Sequence, residues 1–437
     1  MKEKRIRIFG RLRWTLLWAA ILLCWAAPIK AGEIGKTVDN TNVSQYKDLL
    51  PPALYKAVER GDYILPTATL SFPFKLPASF LAASEKNAGK YDVDKEGNLI
   101  DKATGKFPKH NVYGLPFPHI DTKDSKSGVK IIWNFKFMRY RTMSVHASGI
   151  VYWVDEKKGV ERVYRMDGQG STYLFYQGRP PGREIENPSG FLYQCMLCYE
   201  SPMSVKGMNT MNWEYADDRD NTVFAYVPVI RRVRKSSGAS RSDSSMGGDS
   251  WNDLANMWDG KNSTMTWKVV GEKTILVAFT DINKGQATEE PDGTFLRRMP
   301  EKKFGYDTPG WKGAPWAITS AKWVPRKCWV VEQMPKDPYY NWGLHVNYVD
   351  KETFSIWHKE VYDKAGQFQV WMIAPRSYCE LPDGRNDIGE VDAYIITNEK
   401  VRHSTMSNIE NPHELYLPAN RLVPGDFTMS NFLKASK

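Results

Sequence analysis

The chain has 437 residues, a formal net charge of +10, and 16 tryptophans within an aromatic content of 13%. Residues 1–31 carry seven Lys or Arg and one Glu, so the rest of the chain keeps only about +4, and its charge gives no reason to expect nucleic-acid binding. The mean hydropathy of −0.51 indicates much polar surface, although the chain has many large aromatic rings. This combination suits a sheet that encloses an apolar ligand, and the alternative is a Trp-rich core that binds nothing.

The N-terminal segment predicts a cleaved signal peptide over residues 1–31. A basic start precedes the uncharged stretch Trp14–Ala27, which is too short to span a bilayer because a helix needs about 20 residues to do so. Cys24 is not expected to carry a lipoprotein anchor, because Leu23 stands where a small residue is required. We therefore expect an exported, periplasmic protein with no later segment apolar enough to cross a membrane.

The N-terminal region after the signal peptide differs in pattern from the remainder. We expect residues 32–142 to form a helical or irregular extension that packs on a β-rich region, residues 143–437, within one domain. Residues 129–140 are apolar at both helix and strand spacing, so their type stays open. Other predicted elements of the extension are a helical turn at 46–50, helices over 53–60 and 78–86, and a hairpin over 91–101.

From residue 143 onward, short apolar runs separated by turn residues predict about eleven antiparallel strands. An antiparallel sheet of that length must curl. The expected fold class is therefore mainly β (α+β), with a large curved antiparallel sheet that forms a half-open barrel and helices that cover its concave face. Residues 249–258 are the best candidate for a covering helix, and the Ser- and Gly-rich residues 236–248 for a hinge or lid connection. The predicted strands are 150–154, 160–166, 173–176, 191–199, 203–215, 222–227, 267–280, 327–333, 344–349, 354–362, 368–374 and 391–397.

Four cysteines follow the predicted cleavage site, and an even number in an oxidising compartment favours disulfides. We favour a bond between Cys328 and Cys379, because both lie at the ends of strand-like runs, while the other pairings stay open. Cys195 and Cys198 would then pair locally or stay reduced. A thiol-exchange role for these two is disfavoured, because their flanks indicate a strand instead of the helix N-terminus that stabilises a thiolate.

Several spaced motifs occur in order along the chain: Tyr113-Gly-Leu-Pro-Phe-Pro118, Trp133-Asn134, Ala225-Tyr-Val-Pro228 with Arg231-Arg-Val-Arg234, and Tyr348-Val-Asp-Lys-Glu-Thr-Phe354. Together they resemble a family of exported bacterial proteins of undefined function, which is described as similar to the outer-membrane lipoprotein-sorting carriers LolA and LolB. The resemblance implies a half-open β-barrel of roughly eleven strands with helices at its mouth. It also implies passage of an acylated or otherwise apolar molecule between membranes, often beside transporters of the resistance-nodulation-division (RND) type.

The sequence contains none of the compact motifs of common catalytic sites. There is no HExxH pair among the seven histidines and no GxSxG motif, and the glycine-rich run 246–249 lacks the Lys-Ser/Thr of a phosphate loop. We therefore expect no metal, no cofactor and no enzymatic activity, although carboxylates brought together by folding stay an open alternative. The histidines are His110, His119, His146, His345, His358, His403 and His413.

The basic run at residues 231–235 is the polar feature that most suggests a binding or latching site. On a strand, alternate residues of this run share a face and could hold an anionic head group or latch a lid. A basic edge strand that only discourages aggregation is the alternative. Candidates for head-group or latch contacts are Arg231, Arg232, Arg234, Asp243 and Asp249. Candidates for an apolar cavity wall are Tyr152, Tyr173, Phe175, Tyr193, Trp213, Tyr226, Trp267 and Trp371.

The sequence thus predicts a periplasmic carrier or binding protein for an apolar, lipid-like ligand that works with an envelope transporter. An RND-type inner-membrane transporter and an outer-membrane protein are the expected partners. The alternative is a non-enzymatic adaptor of an envelope transport or assembly complex, with a barrel filled by its own side chains. A carrier needs no catalytic group, because each buried methylene contributes about 0.8 kcal/mol.

Overall fold

The computed structural model describes residues 32–217, 219–236, 241–382, 384, 386–387, 391–409, 414–417 and 422–436. The predicted signal peptide and residues 237–240 of the predicted linker lie outside the described residues. In the described part of the chain, no helix has the length and apolar character that a bilayer crossing requires.

The described chain is mainly β. Its α-helices are α1 (Pro52–Glu59), α2 (Ala78–Asn87), α3 (Ser127–Tyr140) and α4 (Met429–Ala435). Its 3-10 helices are Val43–Leu49, Pro228–Ile230, Asn252–Met257, Asn262–Thr264, Gly305–Asp307 and Pro424–Phe427. Its strands are β1 (Thr37–Val38), β2 (Leu65–Pro66), β3 (Tyr91–Val93), β4 (Leu99–Asp101), β5 (Ser144–Asp155), β6 (Gly159–Phe175), β7 (Phe191–Cys198), β8 (Asn209–Tyr215), β9 (Thr222–Val227), β10 (Arg232–Ser236), β11 (Met265–Gln286), β12 (Thr288–Glu289), β13 (Phe295–Arg298), β14 (Lys322–Pro335), β15 (His345–Asp350), β16 (Ile356–Tyr362), β17 (Phe368–Ile373), β18 (Arg376–Glu380), β19 (Asn386–Asp387), β20 (Ala393–Asn398), β21 (His403–Asn408) and β22 (Glu414–Leu417).

One large sheet contains most of these strands. Its order is β10-β9-β8-β7-β6-β5-β21-β20-β17-β16-β15-β14-β11, and every ladder in this order is antiparallel. A branch of β12, β13 and β22 joins β5, and β18 pairs in parallel with the end of β11. Among the described strands, the two ends of the order, β10 and β11, do not pair with each other. The predicted large antiparallel sheet is confirmed.

The sheet curves around one inner core. A single buried cluster collects side chains from β5, β6, β7, β11, β14, β15, β16, β17 and β20. Helix α3 lies inside this curve, with 13 of its 14 residues buried. Gly128 lets its first turn approach β11, because a Cβ there would lie 2.7 Å from the carbonyl carbon of Trp267. Residues 129–140, whose type the pattern left open, are helical because the sheet encloses them on nearly every side.

The outer face of the sheet is covered by the N-terminal region. Because successive strand residues point to opposite faces, Met372 belongs to the inner core while Trp371 packs outward. The outer cluster also contains α1, the first 3-10 helix and residues between 304 and 321. The ring of Tyr63 meets Trp371 and Trp323 at centroid distances of 5.5 and 6.4 Å. The sheet is therefore buried on both faces over much of its width.

The local predictions are confirmed in part. Helices α1 and α2 and the β3–β4 hairpin lie where the pattern put them. The prediction of a helix over 249–258 is wrong, because the 3-10 stretch there is interrupted by left-handed φ angles of 48° at Asn256 and 74° at Met257. The predicted strands 160–166 and 173–176 are one strand, β6. Strand β21 was not predicted, since its sequence is mostly polar.

The predicted disulfide between Cys328 and Cys379 is wrong, because no disulfide joins the four cysteines of the described residues. Strand register explains the separation. Cys328 lies opposite Lys273 of β11, whereas Cys379 lies beside Gly285, twelve residues further along the same strand. The register between β11 and β18 shifts between Phe279 and Lys284, but the regular stretch from Lys273 to Phe279 alone spans about 20 Å. This already exceeds the roughly 7 Å between Cα atoms that a disulfide allows.

The motif residue Asp350 organises the turn between β15 and β16. Its buried carboxylate accepts two hydrogen bonds from Arg326 at 2.7 and 2.9 Å and one from the Trp357 indole at 3.0 Å. It also accepts the backbone N–H groups of Glu352 and Thr353 at 2.8 and 2.9 Å. Burial opposes ionisation of Asp350, but these donors and the charge of Arg326 outweigh it, so its pKa is lowered.

Replacing Asp350 should destabilise the protein strongly. Asp350→Ala leaves the guanidinium of Arg326, whose side chain is 12% exposed, without its buried partner, and we expect the free energy of unfolding to fall by about 3–5 kcal/mol in urea titrations. The control is Glu352→Ala, which removes a 2.8 Å ion pair to the same arginine from a side chain that is 64% exposed. This change should cost less than about 1 kcal/mol. Similar losses in both variants would contradict the assignment.

Candidate functional site

The candidate site is a cavity between the sheet and a segment that crosses its concave side. We call this segment, residues 241–259, the strap. The cavity measures about 270 Å³ and lies between the strap and inward-facing residues of β5, β6, β7, β20 and β21. Most of the lining side chains are apolar, so the cavity suits an apolar guest. Representative lining residues are Val145, Trp153, Met166, Tyr173, Leu197 and Tyr394.

Apolar anchors hold the strap against the inner core. Trp251, Leu254 and Trp258 are buried in that core. The indole N–H of Trp251 donates to the hydroxyl of Tyr340 at 3.1 Å, and its ring lies 5.1 Å from that of Trp342. These large buried rings fix the middle of the strap, because each removes much apolar surface from water.

The first half of the strap is fastened to β21 through Asp249. The Asp249 carboxylate accepts hydrogen bonds from His403 Nδ1 at 2.6 Å and from the Thr405 hydroxyl at 2.9 Å. The bond to Asp249 raises the pKa of His403, and Glu161, 3.6 Å from its Nε2, and Asp155 add to this effect against the opposing effect of burial. The partner of Asp249 is thus a histidine, where the sequence suggested an arginine. We call the contact between Asp249 and His403 the latch.

The other end of the strap is tied to α3 by a buried lysine. Lys136 Nζ donates to the backbone carbonyl of Gly260, just past the strap, at 2.8 Å. The same ammonium group lies 3.1 Å from the carboxylate of Glu214 on β8. The side chains of Lys136 and Glu214 are 3% and 0% exposed, so solvent does not screen this pair. We call this end of the strap the root.

Arg139, one helical turn further along α3, brings a charge into the cavity wall. Among the described lining residues it is the only charged one. Its guanidinium carbon lies 4.2 Å from the ring centre of Tyr173, a cation–π distance, and the group is 3.7 Å from the carboxylate of Asp259. The hydroxyl of Tyr193 donates to Asp259 at 2.8 Å. Burial raises the pKa of Asp259 to about 7 despite the opposing charge of Arg139.

Further ionisable groups lie beneath the middle of the strap. Burial raises the pKa of Asp253 to about 7, and the Tyr340 hydroxyl donates to its carboxylate at 3.4 Å. Burial lowers the pKa of Lys359 to about 7, and its ammonium group donates to Gln333 at 3.3 Å. Burial also holds the pKa of His345 well below its usual value. Each of these groups is shifted toward its uncharged form because the strap excludes water.

The nominated aromatics divide between the cavity and other parts of the core. Tyr173 lines the cavity. Phe175 and Tyr193 lie next to it on the inner face, with ring centres 5.9 and 5.7 Å from that of Tyr173. Trp267 is packed deeper, with its ring 5.3 Å from that of Trp258.

The other four nominated aromatics lie away from the cavity. Tyr152 and Trp371 belong to the outer cluster, because their neighbours along each strand occupy the inner face. Trp213 and Tyr226 pack in a separate cluster with α4. Trp153, one residue after Tyr152, lines the cavity instead. At β5 the nominated residue therefore lies one position away from the lining residue and on the opposite face of the strand.

The arginine cluster lies outside the cavity wall. Arg232 and Arg234 are exposed on β10, which among the described strands pairs only with β9. Arg231 precedes this strand and is also exposed. Asp243 accepts a hydrogen bond from Asn341 at 3.4 Å. The position on an outer strand fits a basic edge that discourages pairing with other sheets.

The thiols of β7 are not activated for exchange. Cys195 and Cys198 are three residues apart on a strand and therefore point to opposite faces. Burial raises the pKa of both thiols, that of Cys198 to about 11, so neither is a thiolate at neutral pH. Within the described ranges, no group of three or more His, Cys, Asp or Glu side chains is placed to hold a metal ion.

Sequence reasoning missed three residues of the site: Arg139, Trp153 and His403. A signal for Arg139 was present, because Lys136 and Arg139 stand in a mostly apolar run, also interrupted by Lys130 and Asn134, at a spacing that places both on one helix face. Once that run is assigned as helix, two charges inside a buried element require partners. His403 offered no comparable signal.

Comparison with known proteins identifies a sequence family. The family described as "Protein of unknown function (DUF1329)" matches residues 37–431, which confirms the resemblance inferred from the motifs. No curated protein matches the chain.

Three solved structures are similar to the chain. A domain provisionally named an outer-membrane lipoprotein-sorting protein, from Vibrio parahaemolyticus, is 14% identical with a TM-score of 0.46 and covers 71% of this chain and 100% of its own. A DUF1329 family protein from Desulfovibrio piger is 13% identical with a TM-score of 0.43, covering 68% and 97%. A LolA superfamily protein from Nitrosomonas europaea is 11% identical with a TM-score of 0.39, covering 69% and 96%.

Raising the pH from about 6 to about 9 should loosen the strap. The pKa of His403 is raised in the folded protein, so its contribution is fully present below its ordinary pKa and is lost as the pH rises through the folded value. Ionisation of the buried Asp253 and Asp259 acts in the same direction. The protection factors of the strap amides in hydrogen–deuterium exchange, which remove the intrinsic base catalysis of exchange, should therefore fall as the pH rises.

A histidine variant isolates the latch. His403→Phe should accelerate strap exchange at about pH 6, where the latch of the natural protein is closed. The control is His119→Phe, which removes an exposed histidine paired with Glu85 at 2.9 Å and should leave strap exchange unchanged. If His403→Phe also leaves it unchanged at this pH, His403 does not hold the strap.

Proposed function

The chain belongs to the DUF1329 family of proteins of unknown function, and we propose that it is a carrier or binding protein for an apolar, lipid-like ligand held between the strap and the sheet. The observation that carries this proposal is the largely apolar cavity of about 270 Å³. Pockets for small molecules begin near about 300 Å³. With the strap closed, the cavity therefore suits one slender apolar chain better than a lipid with several chains.

Apolar burial supplies enough free energy for such a ligand. Each methylene removed from water contributes about 0.8 kcal/mol, so a chain of about ten gains roughly 8 kcal/mol before the costs of association. Retention requires no catalytic group and no metal. A carrier must also release its cargo, and a cavity walled by a movable segment meets both needs.

The strap is the proposed gate of the cavity. Its latch joins Asp249 and His403, whose side chains are 7% and 17% exposed, while its root is tied to Lys136, whose side chain is 3% exposed. Charges near the surface are easier to separate than buried ones, because water replaces their partner. Opening would therefore begin at the latch and leave the root in place.

We further propose that the protein works in the periplasm and exchanges its ligand with an RND-type inner-membrane transporter and an outer-membrane partner. The support is the signal-peptide pattern of residues 1–31 and the family motifs. The adaptor alternative is favoured by one observation, the placement of α3 inside the curve of the sheet. A protein of that kind would use its outer surfaces and would carry no cargo.

Chemical extraction separates the carrier from the adaptor. Mass spectrometry of an organic extract from the purified protein should recover an apolar molecule, and protein stripped of it should take up an added fluorescent fatty acid. Repeated recovery of no such molecule, together with no uptake, would favour the adaptor.

Filling the cavity should abolish uptake. Ser171 of β6 lines the cavity, so Ser171→Trp places a large ring inside it, and we expect fatty-acid uptake to fall by about tenfold or more, as measured by fluorescence titration. The matched control is Thr172→Trp, because the next residue of a strand points to the opposite face. Thermal unfolding of both variants checks that they are folded. Full uptake by a folded Ser171→Trp variant would place the ligand elsewhere.

A further inference from the structure

We infer that the protein docks on a membrane surface that carries anionic lipid head groups, through an exposed apolar and basic face beside the cavity. We call it the docking face: residues 201–208, between β7 and β8, and residues 228–236, which form the tip of the β9–β10 hairpin and β10 itself. The inference rests on the proposed function, because it names the surface at which the carrier would exchange its ligand. Its basis is the set of side chains that this face leaves in water.

The docking face exposes large apolar side chains. Val229 is 84% exposed, Met203 82% and Ile230 41%. The two segments adjoin each other, since a Cβ on Gly207 would lie 4.0 Å from the Cγ of Pro228. A single exposed apolar residue is ordinary on a protein surface, whereas a group of them on adjoining turns is typical of an interaction site.

Basic residues flank these apolar side chains. Residues 201–208 and 228–236 contain five Lys or Arg and no Asp or Glu. Apolar side chains beside cations suit a membrane interface, because the apolar groups enter the head-group layer while the cations attract anionic lipids. A basic edge that only prevents sheet pairing accounts for the arginines but not for the exposed apolar side chains. The five cations, all of them exposed, are Lys206, Arg231, Arg232, Arg234 and Lys235.

Strand register turns two of the arginines toward the concave side of the sheet. Val233 packs with α4 in the same cluster as Trp213 of β8, whereas the next residue of β8, Glu214, faces α3. Because successive strand residues point to opposite faces, Arg232 and Arg234 lie on the side of the inner core. Head groups bound by these arginines would therefore lie on the same side of the sheet as the cavity.

The docking face lies beside the cavity. Val205, in the middle of residues 201–208, is buried in a cluster with Met166 and Tyr199, both of which line the cavity. Met246 of the strap lines the cavity and packs against the same cluster. A membrane on the docking face would thus approach the cavity where the first half of the strap covers it, which is the half that the latch holds.

Sedimentation of the purified protein with sucrose-loaded vesicles tests the docking. We expect binding to phosphatidylcholine vesicles that contain about 30% phosphatidylglycerol to be at least tenfold tighter than binding to phosphatidylcholine alone, because each cation near an anionic surface raises the partition coefficient about fivefold. Raising the NaCl concentration from about 0.05 M to about 0.5 M should weaken binding to the anionic vesicles, since salt screens these charges.

Two double variants separate the apolar and basic parts of the docking face. Met203→Ser combined with Val229→Ser should lower the affinity for the anionic vesicles roughly tenfold, because these side chains no longer gain from leaving water. Arg232→Ala combined with Arg234→Ala should lower it roughly twentyfold and reduce its dependence on salt.

Matched controls lie on α2 and just after it. Leu81→Ser removes a side chain that is 47% exposed, and Lys86→Ala combined with Lys90→Ala removes two exposed cations. Hydrogen bonds tie this region to the residues that follow β6, at the end of β7 opposite to residues 201–208. The controls should bind the anionic vesicles as the natural protein does, and thermal unfolding checks that every variant is folded.

Vesicle binding decides the inference without any ligand. If the natural protein binds anionic vesicles no better than neutral ones, or if both double variants bind as it does, the inference is overturned and a protein partner would be the occupant of this face. The carrier function is measured separately, as uptake of a fluorescent fatty acid from solution. Both double variants should retain this uptake, since none of their substituted residues is among the described lining residues. Absence of uptake by the natural protein would overturn the carrier function alone.

Discussion

The pairing of two cations on a buried helix constrains the interior of this protein. Lys136 and Arg139 are one turn apart on α3 and nearly fully buried, and a charge in such a place is tolerated only with a partner. Glu214 of β8 and Asp259 at the end of the strap supply the carboxylates. Strand β8 and the end of the strap must therefore lie against the same side of α3. This requirement fixes the root of the strap.

The latch and the root of the strap differ in how firmly they are held. Breaking a buried pair by removing one partner costs about 3–5 kcal/mol, and the carbonyl of Gly260 shares the ammonium group of Lys136 with Glu214. The Asp249–His403 contact is nearer to water and depends on the charge of a histidine. A segment held in this way has one deeply buried attachment and one attachment whose strength depends on pH. The cavity lies beneath it, so the proposed opening would begin at the weaker attachment.

Sequence alone predicted the class of fold well and the site poorly, for a physical reason. Alternation and turn residues identify strands because both are local, so the large antiparallel sheet and the helices α1 and α2 were found. Which face of a strand turns inward depends on pairing across the sheet, which is why Tyr152 was nominated where Trp153 lines the cavity. The contact of Asp249 with His403 joins residues 154 positions apart. A local sequence pattern cannot predict a contact between residues so far apart in the chain.

The polar groups beneath the strap bear on how readily it can open. The ring of His345 lies 5.9 Å from that of Trp251 in the strap, yet both of its nitrogens and the Nε2 of Gln333 find no protein partner among the described residues. A buried polar group without a partner costs about 1–3 kcal/mol relative to a hydrated one. Lifting the strap exposes Trp251 to water, which is unfavourable, but it also hydrates these groups, which is favourable. Because the two effects oppose each other, the strap is expected to be among the least stable parts of the core. A polar floor under an apolar strap would thus favour opening of the proposed gate without any change in the sheet.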